Sequence, residues 1–256
     1  MFWQVRHWLI TSNNKITVIC PVTNWSFVKL SIPFYQQTMD FSCGPACIAM
    51  VLKYFDYVSE MNRDLEIELW RETSTIEIAG CGRFGISAPL ALRGLHPHII
   101  SSAKDMGIME GASSVLELDS RALDIFHTAQ QRLCAQNETT YETKIPTLTD
   151  INQALSNERI PLCLVSTIIF GDDEDIPHWI VITGSEGNLL TVHNPLDEKS
   201  NNHRDVHIDD LFYTGRDFKE KTIVTVGLSS VLNAKIVEEP ELPPWPLDYQ
   251  YHIEKD

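Results

Sequence analysis

Two residues of the sequence have types and spacing suited to nucleophilic chemistry: Cys43, and Gln37, the glutamine six positions before it. Cys43 stands between a polar loop and an apolar segment, 48–55. The bulky side chains of that segment recur at helical spacing, so we predict a buried helix that begins at Cys43. Ser42 or Asp40 is predicted to cap this helix. The first turn of a helix favours a thiolate, because its unpaired N–H groups and its dipole attract negative charge. Gln37 would offer its amide to a developing oxyanion.

Three blocks of the sequence resemble a known family, the papain-like cysteine peptidases, and within it the stand-alone C39-like proteins of bacteria. The first block is Tyr35-Gln-Gln-Thr-Met-Asp-Phe-Ser-Cys-Gly-Pro-Ala46, and the others lie at 69–85 and 178–195. The resemblance covers roughly residues 33–228. It implies an α+β fold of the papain-like kind, in which a helical half carries the nucleophile helix and an antiparallel sheet half follows it.

His178 is the predicted general base. It follows an acidic loop, 171–175, and begins a run of alternating bulky residues that predicts a strand. A ring at the edge of that strand would face the nucleophile helix across a cleft. His178 lies roughly 135 residues after Cys43, within the separation of about 130–150 residues found in papain-type enzymes. It would take a proton from the nucleophile and later donate one to the leaving amine.

Asn194 is the predicted third member of the triad, which should hold the imidazole through its other ring nitrogen. A hairpin turn at 186–188 is expected to bring 192–195 alongside His178. The resemblance assigns Asn194 to the position at which C39-like proteins usually carry an aspartate before a proline. Asparagine performs this role in papain, although a neutral amide stabilises an imidazolium less than a carboxylate does. Asp197 is the alternative orienting residue.

Three neighbouring residues are predicted to bind substrate: Gly44, Trp179 and Gln36. Gly44 follows the nucleophile, Trp179 adjoins the base and would shield it from water, and Gln36 competes with Gln37 as the amide donor. Cys47, one helical turn beyond the nucleophile, is predicted to pack in the core, with a resolving thiol or a metal ligand as its other possible roles.

Composition limits the partners. The net charge of −15 argues against nucleic acid and against an anionic membrane as partners, since both would repel the chain. It is compatible with a basic peptide substrate. No run of about 18 apolar residues occurs, so no membrane-spanning helix is expected. The six cysteines are scattered and never spaced by two residues, which is not typical of a disulfide framework or a zinc ribbon. We therefore expect a cytoplasmic protein.

Helical patterns precede strand patterns along most of the chain, which is the α+β order. Residues 1–32 are predicted to be an N-terminal extension that could form a strand pair, 33–232 a papain-like domain, and 233–256 a proline-rich acidic tail. Predicted helices lie at 43–56, 62–70, 86–93, 114–136 and 149–155, and predicted strands at 161–169, 178–183, 189–192 and 222–227.

Together these features predict a cysteine peptidase or amidase that acts on a peptide or protein through a Cys-His-Asn triad, with no metal or organic cofactor. Three alternatives stay open. The same Cys-His pair could transfer an acyl group to an amine, or a degenerate peptidase could bind peptides without cutting them. The third is a metal site formed by Cys43, His178 and His193. Better-known C39 domains cut leader peptides while fused to transporters, but the sequence shows neither a membrane segment nor an ATP-binding P-loop.

Overall fold

A ten-stranded, mostly antiparallel sheet forms the centre of the part of the chain that the structure describes, and helices pack against it. The structure is a computed structural model, and it describes residues 8–12, 15–19, 26–75, 80–107, 120–198, 203–212, 219–231 and 234–241. Within these ranges a largely helical segment leads into a run of antiparallel strands, which confirms the predicted α+β class.

The described helices begin and end close to where helical spacing and capping residues predict, except for the last and shortest, which was not predicted. They are α1 (Cys43–Tyr54), α2 (Arg63–Thr73), α3 (Arg83–Leu92), α4 (Ser120–Gln136), α5 (Leu148–Ser156) and α6 (Ile208–Leu211). Asn62 caps α2 as predicted, accepting a backbone hydrogen bond at 3.0 Å. Thr147 rather than Thr149 caps α5, in a capping box with Asp150. The start predicted for α4, at residue 114, lies outside the described residues.

Helix α1 starts at Cys43 as predicted, but no side chain caps it. Ser42 is the N-cap residue, yet its φ of −101° and ψ of 24° lie outside the extended region that a capping serine normally adopts. Its hydroxyl lies instead against the carboxylate of Glu66, and Asp40 is exposed. The backbone N–H of Gly44 in this first turn is directed at the sulfur of Cys43.

The strands form a single sheet that branches at its longest member. They are β1 (Trp8–Ser12), β2 (Lys15–Ile19), β3 (Ser26–Leu30), β4 (His96–Ser101), β5 (Thr140–Thr143), β6 (Ile160–Ser166), β7 (Pro177–Glu186), β8 (Leu189–His193), β9 (Arg204–His207) and β10 (Thr222–Gly227). Their order is β1-β2-β3-β7-β6-β10-β4-β5, and β8 pairs with β7 and β9. The described pairs are antiparallel except for β4 with β5.

Three strand predictions need correction. The strand expected over 161–169 ends at Ser166, because Thr167–Phe170 forms a 3-10 turn. Strands β4, β5 and β9 were not predicted: β4 carries a proline and two histidines, and β5 and β9 have only four residues each. Residues 1–32 contribute three strands, β1, β2 and β3, where a pair was expected. The hairpin between β7 and β8 has the predicted short turn, with Gly187 at a φ of 60°.

Helix α1 is buried from Cys43 to Leu52, because it lies between β7 on one side and α2 and α3 on the other. This position explains why its sequence is apolar on every face and small at its start. The largest completely buried side chains include Ile48, Met50 and Trp179. The core therefore includes the interface between α1 and β7, and its packing fixes how this helix and strand approach each other.

Strands β1, β2 and β3 continue the central sheet, since β3 pairs with β7 at Val28↔Ser185 and Lys29↔Gly184. At the other end of the chain, Ile236 bridges to Thr140 beside β5. The division into 1–32, 33–232 and 233–256 stays a prediction. None of the helices in the described ranges is both long enough and apolar enough to cross a membrane.

Candidate active site

Cys43 is the first residue of α1, and 8% of its surface is exposed. Burial alone would raise the pKa of its thiol. The charge and hydrogen bond of His178, with backbone N–H donors from Trp179 and Gly44, outweigh burial and hold the pKa of Cys43 below its ordinary value. Sequence reasoning credited the helix terminus with this effect; at this sulfur His178 has a larger influence than the Gly44 N–H of the first turn. The site therefore favours the thiolate.

His178 lies at the start of β7, opposite Val165 of β6, and is almost completely buried. Its Nε2 is 2.8 Å from Oδ1 of Asn194, which leaves Nδ1 for the hydrogen bond with the sulfur of Cys43. Burial would lower the pKa of the imidazole. The Cys43 charge and hydrogen bond, the Asn194 hydrogen bond and the charge of Asp172 reverse this and raise it. Each group therefore favours the charged form of the other, as an acid and a base in contact do.

Asn194 follows β8 and directs its amide oxygen at His178. That oxygen also accepts the Leu196 N–H at 3.1 Å, while Nδ2 of Asn194 donates to Oδ1 of Asp197 at 3.2 Å. A carboxylate can only accept from the amide nitrogen, so Asp197 fixes which end of the amide faces the ring. Of the two orienting residues considered from the sequence, Asn194 contacts the imidazole and Asp197 lies behind it.

Asp197 is held in turn by Arg204 of β9, which was not predicted. Nε of Arg204 lies 2.7 Å from Oδ2 of Asp197, and Nη2 lies 2.7 Å from Oδ1. The same guanidinium stands 5.3 Å from the ring centre of Phe170, whose edge faces His178 at a centroid distance of 6.3 Å. Phe170 and Arg204 thus pack beside the histidine and the carboxylate behind Asn194, and nothing in their sequence context signalled this position.

Gln37 is buried in the loop that leads to Cys43. Its backbone N–H donates to the carbonyl of Pro195 at 2.9 Å, which places it beside the turn that carries Asn194. Its Nε2 donates to the carbonyl of Met39 at 2.8 Å, and its Oε1 has no hydrogen-bond partner among the described residues. One hydrogen of the amide nitrogen remains available.

The three predicted substrate contacts occupy different surroundings. A Cβ on Gly44 would lie 2.4 Å from Sγ of Cys81, so this position has room for glycine only. Trp179 is buried, and its Nε1 donates to the carbonyl of Cys81 at 3.0 Å. Gln36 is exposed. A role in substrate binding stays a prediction for all three.

Cys47 lies in the core beneath the site, as predicted. Its thiol donates to the carbonyl of Trp179 at 3.4 Å, which joins α1 to β7 next to His178. Burial raises the pKa of Cys47 and also that of Cys81, so neither shares the thiolate character of Cys43.

His193 lies apart from the triad: its Nε2 is 2.9 Å from the carbonyl of Ile32, and its ring packs edge-on against Phe34 at 5.4 Å between centroids. No three His, Cys, Asp or Glu side chains in the described ranges are grouped so that they could share a metal ion. The arrangement around Cys43 is suited instead to nucleophilic attack on a carbonyl.

Comparison with known proteins gives one family and several solved structures. The model of the family described as "Peptidase_C39 like family" matches residues 32–230. One similar structure is the peptidase domain of Streptococcus ComA, a bifunctional ABC transporter involved in quorum sensing. It is 16% identical, the match covers 76% of this chain and 97% of that one, and the TM-score is 0.39. Another is a putative C39-like peptidase from Bacillus anthracis, with 12% identity, 77% and 95% coverage and the same TM-score of 0.39. No curated protein matches the chain.

Proposed function

The chain belongs to the C39-like peptidase family, and from this premise we propose that it is a cysteine peptidase or amidase with Cys43 as nucleophile, His178 as general base and Asn194 as the orienting residue. The observation that carries the proposal is the contact of His178 with both partners: one ring nitrogen bonds the sulfur and the other lies 2.8 Å from the asparagine oxygen. The opposed pKa shifts of Cys43 and His178 are those that thiol catalysis needs at neutral pH.

The proposed reaction has two halves. The Cys43 thiolate attacks the carbonyl carbon of a peptide or amide, and the displaced electron pair moves to the carbonyl oxygen. Gln37 Nε2 and the backbone N–H of Cys43 hold this oxyanion. When the intermediate collapses, the C–N bond breaks and the amine leaves with the proton of the His178 imidazolium. His178 then takes a proton from water, which attacks the thioester and releases the acid and the thiolate.

Cys43→Ala is expected to lower peptide cleavage by at least about 10³-fold, because removing a nucleophile abolishes the covalent path. The measurement is mass spectrometry of a mixed peptide library incubated with each protein. Cys134→Ala, which removes a buried cysteine whose thiol bonds the carbonyl of Phe84, is the matched control and should cleave like the wild type. Cleavage that survives in Cys43→Ala would contradict the proposal.

The same experiment distinguishes two alternative functions, acyl transfer and peptide binding without cleavage. If the Cys43–His178 pair transfers acyl groups, added primary amine will appear covalently in the products in place of a new carboxylate. If the protein is a degenerate peptidase, the library will be bound without cleavage. The burial of Cys43 and His178 is the observation that favours this second alternative, since a substrate needs access to the sulfur.

The hydrogen bond between His178 and Asn194 gives a separate prediction. Asn194→Ala is expected to slow alkylation of Cys43 at pH 6 by roughly tenfold, because it removes a hydrogen bond that raises the pKa of His178 and so weakens the imidazolium beside the thiol. Asn157→Ala, at an exposed asparagine that bonds the carbonyl of Gln153, is the control and should react like the wild type. Iodoacetamide labelling followed by peptide mass spectrometry measures both. If Asn194→Ala is alkylated as fast as the wild type, the orienting role of Asn194 is wrong.

We propose a peptide or protein substrate, no nucleic-acid or membrane partner, and a cytoplasmic location. The net charge of −15 supports the exclusion of polyanions. The five described cysteines are all free thiols, which is typical of a reducing compartment. No organic cofactor or metal is needed by the proposed reaction.

A further inference from the structure

A carboxylate outside the triad, Glu66 of α2, lies beneath the loop that leads to Cys43. It is completely buried. Its Oε1 accepts the backbone N–H of Thr38 at 2.8 Å and the hydroxyl of Ser42. Its Oε2 accepts the hydroxyl of Thr38 at 2.6 Å and that of Tyr35 at 3.0 Å. Every one of these four donors belongs to the loop that carries Gln37.

Burial of a carboxylate costs free energy unless hydrogen bonds from the protein replace those from water. Each oxygen of Glu66 accepts two such hydrogen bonds. Among the described residues no lysine, arginine or histidine forms an ion pair with it, and the guanidinium of Arg63 reaches only the hydroxyl of Thr38, at 3.2 Å. Burial, followed by the charge of Glu66, raises the pKa of Tyr35. The loop and the carboxylate therefore hold each other in place.

The loop positions the amide of Gln37. Nε2 of Gln37 donates to the carbonyl of Met39, and Met39 stands between Thr38 and Ser42, which both bind Glu66. The backbone N–H of Ser42 also donates to the Met39 carbonyl, at 3.2 Å. The acceptor that orients one hydrogen of the amide is thus fixed on both sides, which constrains the direction of the other.

We propose that Glu66 is a positioning residue for the oxyanion site: it fixes the loop so that the Gln37 amide directs its free hydrogen at the carbonyl oxygen of a bound substrate. The inference rests on the proposed function, in which Gln37 stabilises the oxyanion. It predicts that loss of Glu66 slows reactions that form an oxyanion and spares reactions at the same sulfur that form none.

Two probes separate these reactions without a known substrate. p-Nitrophenyl acetate is attacked at its carbonyl by the Cys43 thiolate, forms an oxyanion, and leaves S-acetyl-Cys43 with release of p-nitrophenolate. Iodoacetamide alkylates the same thiolate by displacement of iodide, with no oxyanion. Glu66→Ala is expected to lower the acetylation rate about 10- to 100-fold and to leave the alkylation rate within about twofold of wild type, since a displacement of about an ångström is enough for such a loss.

Further variants make the test specific. Glu66→Gln should fold and lose less than Glu66→Ala, because the amide oxygen still accepts the Thr38 N–H while the hydroxyls can turn their hydrogens away and accept from the new NH2 group through their oxygens. Gln37→Ala should show the loss of Glu66→Ala, and the double variant should lose no more than either. Glu68→Ala, on the same helix with a side chain 64% exposed, is the control and should react like the wild type.

The outcomes are distinct. An unchanged ratio of acetylation to alkylation in both Glu66 variants would overturn the positioning role, and so would an equal fall in both rates, which marks a purely structural residue. If the wild-type protein is alkylated at Cys43 no faster than at its buried thiols, the proposed function itself fails and the inference falls with it. That result is visible without any Glu66 variant.

Discussion

His178→Ala is expected to slow the alkylation of Cys43 at pH 6 by roughly a hundredfold, because it raises the pKa of the thiol. The reason lies in the opposing influences on this sulfur. Burial disfavours its charge, and the imidazolium of His178 is the main influence that offsets burial. Without the ring, only the backbone N–H donors of Trp179 and Gly44 offset the rise in pKa that burial causes. Iodoacetamide labelling at fixed pH, followed by peptide mass spectrometry, measures the rate.

The matched control for this experiment is His203→Ala, an exposed histidine whose ring packs on His193 rather than on the triad. Its rate at Cys43 should equal that of the wild type. Equal rates in His178→Ala and the wild type would show that the sulfur does not depend on the histidine, and the proposed pair would then be wrong.

Glu220→Leu is expected to lower the free energy of unfolding by about 3–5 kcal/mol, because it leaves Arg83 charged and buried without its partner. Nη1 of Arg83 lies 3.2 Å from Oε1 of Glu220, and each side chain is 3% exposed. Thr222 also donates to this carboxylate, at 2.7 Å. Urea denaturation followed by circular dichroism measures the loss.

The double variant Arg83→Met/Glu220→Leu is expected to recover much of this stability, since it removes the charge that the single variant leaves unpaired. Glu239→Gln, in the exposed ion pair with Arg132, should leave the urea midpoint unchanged. A single variant as stable as the double one would contradict the account. The pair matters to the site because α3 begins at Arg83, directly after the Cys81–Gly82 turn whose carbonyl holds the Trp179 indole.

Local chemistry explains why much of the site could be predicted from the sequence. The start of α1 at Cys43 follows from helical spacing and from the glycine and proline after it. The hairpin after β7 follows from its turn residues, and it brings Asn194 to His178. These signals come from residues close together in sequence, where periodicity and turn chemistry apply. The relationship of Cys43 to His178 came from the family resemblance.

The parts that were not predicted depend on contacts distant in sequence. Glu66 shares the buried face of α2 with Leu69 and Thr73, whereas the bulky Leu65 and Trp70 are only partly buried. Helical spacing alone does not show that an acidic residue is enclosed, because its donors lie in another segment. Arg204 could not be predicted for the same reason: it lies in β9, and its carboxylate partner Asp197 follows β8.

The pairing of strands in the sheet also could not be predicted from the sequence. The hydrophobic pattern marks β6, β7, β8 and β10 as strands, but it does not say which edges meet. The attachment of β3 to β7 and the parallel pairing of β4 with β5 come from the packed structure alone. Pro97 and the two histidines of β4 gave no strand prediction, and the sheet accommodates them between β10 and β5.

The most direct test of the central claim is the rate of iodoacetamide alkylation at Cys43 in the wild-type protein as a function of pH. The lowered pKa of Cys43 and the raised pKa of His178 predict a thiolate–imidazolium pair between the two values. The rate should therefore rise as pH increases through the lowered pKa of Cys43 and should already be high below pH 7. The buried thiols of Cys47 and Cys81, with raised pKa values, should stay unreactive there. A Cys43 that reacts only as pH approaches the free-thiol pKa of about 8.5 would contradict the account.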